Sequence, residues 1–86
     1  MRFKFSGRAE LGKAGDFEIF AWVGDMQVRC VIKREAVTAG LAEAYISDAQ
    51  MLQLFASRSC ELESIASQRF FNGESSPVIK RHHMFH

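Results

Sequence analysis

Between Ser47 and Gly73 the apolar residues fall at helical spacing over a longer run than anywhere else in the chain. Leu52, Phe55, Leu62, Ala66 and Phe70 recur at intervals of three, four, or three plus four, flanked by Met51, Leu54 and Ile65. Gln53, Ser57, Cys60, Glu61, Ser64 and Gln68 make the opposite, polar stripe. Ser47-Asp48-Ala49-Gln50 is a capping box, with Ile46 and Met51 spaced as a hydrophobic staple around it and Asp48 placed against the positive end of the helix dipole. Asn72-Gly73 supplies the stop, glycine being the residue that readily turns left-handed after a last helical turn. One helix of about 37 Å is predicted, longer than so small a domain needs, with an end that overhangs.

The pattern switches to a period of two between Asp16 and Lys33. Two β-rich runs flank Gly24-Asp25, which suits a two-residue type II′ turn. With that turn Val23 faces Met26, and Phe17, Ile19, Ala21 and Val23 share an apolar face with Met26, Val28, Cys30 and Ile32. The other face pairs Trp22 with Gln27, Phe20 with Arg29, Glu18 with Val31 and Asp16 with Lys33, and it predicts a cation–π pair and an ion pair. A slip of one residue would carry Glu18, Gln27 and Arg29 into the apolar face, so burial selects this register. The long helix is expected to dock on the apolar side.

The remaining segments carry weaker signals. Arg2-Phe3-Lys4-Phe5 alternates as a short strand that Ser6-Gly7 ends, and residues 8–15 read as a loop. Val37, Leu41 and Tyr45 at successive fours predict a short amphipathic helix over Arg34 to Tyr45, weakened by Gly40 and lacking a capping residue at its start. Pro77 suits the first residue of a strand, and Val78 to Phe85 alternates as an edge strand. Together these elements predict a single α+β domain over residues 1–86: a β-hairpin, a short helix, a long helix and a C-terminal edge strand, with the helices on one face of a small antiparallel sheet.

Composition narrows the function classes. With 86 residues, 48% hydrophobic content and eight Phe, the chain folds as one small domain that removes only about 60% of its unfolded surface from water, which favours an oligomer or a tight core. Cys30 and Cys60 fall on a strand and a helix, with no secretory leader and no apolar run long enough for a membrane, so reduced thiols, a cytoplasmic location and no membrane partner are expected. His82, His83 and His86 all lie in the last five residues, where three or four ligands are hard to fix, and no metal site is expected. No Ser-His-acid set, GxxxxGK loop or GxGxxG loop occurs, so neither catalysis nor a cofactor is expected.

At Val28-Arg29-Cys30-Val31-Ile32, followed by a helix and then by Leu54-Phe55, Arg58 and Ile65-Ala66, the chain resembles a family of small bacterial proteins known as domain of unknown function 1488. The resemblance spans roughly residues 17–80. It implies a compact α+β fold and a bacterial origin, and it implies no activity.

Two binding readings remain. In the first, Phe20, Trp22 and Arg29 form an apolar patch on the second sheet face, and the chain is an interaction or accessory module that self-associates or holds a protein partner. In the second, the termini lie side by side, and Arg2, Lys4 and Arg8 with Lys13, Lys80 and Arg81 form a basic edge beside the Phe20, Trp22 and Arg29 face, which stacks on nucleic acid. The net charge of +1 is uneven, +3 over residues 1–15, −4 over 16–76 and +2 over 77–86. The acidic body favours the first reading.

Overall fold

A computed structural model describes residues 2–7, 9–41 and 45–84. In chain order it contains β1 (Phe3–Phe5), β2 (Glu10–Leu11), β3 (Phe17–Val23), β4 (Met26–Ile32), α1 (Arg34–Val37), α2 (Asp48–Phe71), β5 (Val78–Ile79) and a 3-10 turn (Arg81–Met84). The strands form one sheet in the order β1-β3-β4-β5, with β2 also beside β3, and α2 covers one face. This is the mixed α+β architecture that the sequence pattern predicts.

The hairpin takes the predicted register at every position from Phe17 opposite Ile32 to Val23 opposite Met26. Gly24 has φ +61° and Asp25 has no positive φ, the combination a type II′ turn requires. Phe17, Ile19, Ala21 and Val23 are all buried, as are Val28, Cys30 and Ile32. Met26 departs from this set at 51% exposure, although Val23 opposite it is buried.

On the helix, the Gln50 N–H donates to Ser47 Oγ (3.2 Å) and the Ser47 N–H to Gln50 Oε1 (2.9 Å), completing the capping box, while Ile46 and Met51 are both buried. At the other end the Glu74 N–H reaches the Arg69 carbonyl (3.1 Å) and the Gly73 N–H the Phe70 carbonyl (3.0 Å), a Schellman motif around Gly73 at φ +116°. The buried stripe is Met51, Phe55, Leu62, Ile65 and Ala66. It is rotated from the predicted one, so Leu52 is left 50% exposed. Arg58 falls along the same line and reaches past the core to the Ala39 carbonyl (2.9 Å).

Twenty-four residues of α2 span about 36 Å, against about 23 Å for a seven-residue strand. Its extra length does not overhang. The Phe3 ring meets Phe70 (5.7 Å between centroids) and Phe71 (6.5 Å) at one end, Phe17 meets Phe55 (4.5 Å), and the segment around Ala39 and Ile46 packs beside the first turns. At mid-helix Glu63 Oε2 accepts from the Phe5 N–H (2.8 Å), tying the β1 edge to α2.

Four expectations are corrected. Residues 9–15 are not all loop: β2 pairs Glu10 with Glu18 and Leu11 with Phe17, and two residues are looped out between β1 and β2, since five positions separate Phe5 from Glu10 but three separate Ala21 from Glu18. The second helix is a single turn, ended where Gly40 takes φ +86°, and Leu41 and Tyr45 are exposed; residues 42–44 lie outside the described ones. Its missing cap comes from far along the chain: Asp16 Oδ1 accepts from the Arg34 N–H (2.9 Å). The C-terminal strand is only Val78–Ile79 and runs parallel to β4, so the sheet is mixed, because α2 carries the chain back over the sheet before β5 enters.

A 3-10 turn replaces the rest of that strand, with Met84 buried beneath it; Phe85 and His86 lie outside the described residues. The Lys80 N–H donates to His83 Nδ1 (2.9 Å), so the turn is closed by an unprotonated ring nitrogen. Partial burial, then nearby Arg69, His82 and Lys80, lower the His83 pKa, opposed by Glu74.

Two outcomes follow from these contacts. Leu62→Ala, which empties space under the centre of α2, is expected to cost about 2–5 kcal/mol in urea unfolding, against about 1 kcal/mol for Ser47→Ala at the exposed cap. Folding holds His83 below its ordinary 6.5, so the unfolded chain binds the proton first and the His83 contribution is present above that value and lost as pH falls below it. The stability difference between wild type and His83→Ala is therefore expected to shrink from pH 7.5 to pH 5, read from urea midpoints; a constant difference would show that the ring does not close the turn.

Candidate functional site

Helix α2 leaves the other face of the sheet uncovered, and the period-two pattern fixes what stands there. Along β3 the outward residues are Glu18, Phe20 and Trp22; opposite them on β4 are Val31, Arg29 and Gln27. Lys4 lies beside Trp22, Glu10 beside Glu18, and Val78 beside Val31. Phe20, at the middle of β3, is 37% exposed, and Trp22, toward the hairpin turn, 44%; they are the two large apolar side chains of this face. Neither is covered by the N-terminal segment, which lies at the sheet edge as β1 and β2.

Ion pairs cross the face between β3 and β4. The Arg29 guanidinium does not stack on Phe20, as its register suggests, but turns diagonally to Glu18, with Nε at 2.7 Å and Nη2 at 2.5 Å from Oε2. Asp16 and Lys33 form the predicted pair at 3.2 Å. Ser76 Oγ donates to the Arg29 carbonyl (2.8 Å) and fastens the loop before β5.

The candidate nucleic-acid residues are not brought together. Strands β1 and β5 are opposite edges of the sheet with β3 and β4 between them. Lys4 stands at the hairpin-turn end of one edge, whereas Lys80 and Arg81 follow β5 at the far end of the other, a separation on the order of 20 Å. The condition on which a single basic edge depends, termini side by side, is not met. Arg2 is exposed just before β1, Lys13 in the turn between β2 and β3, and Arg8 lies outside the described residues.

Sites for chemistry are equally dispersed. Burial pushes the Cys30 thiol up to about 11, which leaves it protonated and unreactive in the core, and Cys60 is exposed on α2. The His82 and His83 rings lie 4.1 Å apart in the 3-10 turn rather than on a strand, and His86 is outside the described residues. Among the described residues no group of three or more His, Cys, Asp or Glu could hold a metal, and no helix is long and apolar enough to cross a membrane. An open groove of about 400 Å³ beside the start of α2 is lined by Leu41, Ile46, Gln50, Gln53, Leu54 and Ser57, and none of these side chains titrates.

Pattern reading located Phe20, Trp22 and Arg29. It did not single out Glu18, which holds Arg29, or Glu10, which β2 sets beside Glu18.

No family model matches the sequence, and no curated protein matches it. In fold, the chain is similar to the crystal structure of a protein of unknown function from the DUF1488 family of Shewanella loihica, at TM-score 0.77 and 17% identity, over 94% of this chain and 97% of that one. That likeness shows a shared fold, and the family is the one that the strand and helix motifs of this sequence resemble.

Proposed function

We propose that the chain is a non-enzymatic interaction module that docks a protein partner against the open face of its sheet, with Phe20 and Trp22 as the central contacts. One observation carries this: among the described residues the layer packed on the sheet is on its other side, so two large aromatics of β3, Phe20 at its middle and Trp22 toward the hairpin turn, stay partly in water. Leaving a Trp and a Phe there forgoes burial that is worth roughly 1.5–3 kcal/mol for a fully covered large side chain. Trp is also the residue type that most often dominates binding energy at the centre of an interface.

The ion pairs beside these rings suit the same role. Glu18 with Arg29, and Asp16 with Lys33, are matched within the chain, so a partner covering them meets no unpaired buried charge from these four side chains. Nucleic acid loses support by comparison, because Arg29 is engaged by a carboxylate and the terminal cations stand at opposite edges.

Affinity capture from extract of the native cell, with nuclease-treated and untreated arms, tests this reading. Tagged wild type is expected to retain a nuclease-resistant protein, and Trp22→Lys, with unchanged circular dichroism, to lose it. Equal retention by both forms would overturn the reading; retention abolished by nuclease would replace it with the nucleic-acid one.

A further inference from the structure

Resting on that reading, we propose that the occupant of the open face is a second copy of this chain, placed face to face with the two-fold axis parallel to the strands. The charges on the face are segregated across the strands. On the β2 and β3 side stand Glu10, Glu18 and Asp16; on the β4 and β5 side stand Arg29, Lys33 and Lys80, the last following Val78 in the alternation that buries Ile79.

Two-fold symmetry offers two ways of stacking such faces. An axis across the strands lays each strand over its own copy, so acidic half meets acidic half and Arg29 meets Arg29 of the partner subunit. An axis along the strands lays β3 over β4 of the other copy. Acidic half then meets basic half twice over, and like charges directly opposed are avoided. In this arrangement Phe20 lies over Arg29 of the partner subunit, Trp22 over Gln27 of the partner subunit, and Glu10 toward Lys80 of the partner subunit. Among the described residues the cations on the acidic side stand at its two ends: Lys4, with Arg2 just before β1, at the hairpin-turn end, over the loop before β5, and Lys13 in the turn between β2 and β3. Each in-chain pair, Glu18 with Arg29 and Asp16 with Lys33, comes to face its own inverted image and becomes part of a four-charge network.

Glu10 and Lys80 provide the test because they belong to opposite edges, roughly 14 Å apart across three strand spacings, and cannot pair within one chain. Sedimentation equilibrium of the full chain would be run for wild type, Glu10→Lys, Lys80→Glu, the double swap and Trp22→Lys, each checked for fold by circular dichroism. Wild type is expected to be a dimer, each single reversal to weaken it at least about five-fold since every contact occurs twice, and the double swap to return within about two-fold of wild type. Loss of the dimer in Trp22→Lys without rescue by the double swap would overturn this arrangement and leave the docking face standing. A monomeric wild type whose capture of another protein still needs Trp22 would overturn the second copy alone. A dimer that survives Trp22→Lys would overturn both.

Discussion

A chain of this length can lay one long helix on its sheet, and one helix covers one face. Every other feature is conditioned by that shortage. The hairpin must gather its apolar side chains on a single side, which the Gly24-Asp25 turn does by setting Val23 opposite Met26. A one-residue slip would put either Glu18 or Arg29 under α2 without its partner, at a cost of several kcal/mol for the buried charge. The register is therefore held by the helix as much as by the turn. What remains outside, Phe20 and Trp22 among matched ion pairs, is the unavoidable other half of the same arrangement.

Where local signals are weak, polar side chains from distant parts of the chain hold the backbone. Asp16 caps α1 from before β3 and binds Lys33 with its second oxygen. Arg34 Nη2 donates to the Ile46 carbonyl and Arg58 to the Ala39 carbonyl, so two guanidinium groups satisfy backbone acceptors on either side of the link between the helices. Arg58 belongs to the Phe-x-x-Arg motif on which the family resemblance rests, and this contact gives that position a structural reason.

Legibility of the sequence follows the range of the interaction. The Ser47 capping box and the Gly73 stop act within a few residues, and the long helix is readable to its ends. The hairpin is readable because turn and alternation agree. Glu10-Leu11 carries no period of its own and becomes a strand only because β3 offers an edge. The short helix is shorter than its apolar spacing suggests because Gly40 turns left-handed there, and its cap lies 18 positions away. Direction of β5 depends on the crossover through α2, which residue pattern does not record. At the site, period two located the aromatics, but the diagonal preference of Arg29 for Glu18 over Phe20 needed distances.

The sheet edges bear on how such a molecule can associate. An edge strand with free N–H and C=O groups invites another strand. Here β1 is three residues long, is separated from β2 by the two looped-out residues, and has the Phe5 N–H occupied by Glu63. On the other side β5 is two residues long and gives way at once to the 3-10 turn, whose first N–H groups do not continue a ladder. Neither edge presents a long row of donors and acceptors for strand addition. With edge pairing disfavoured on both sides and the inner face filled by α2, the broad surface around Phe20 and Trp22 is the part of the sheet through which association can bury substantial apolar area.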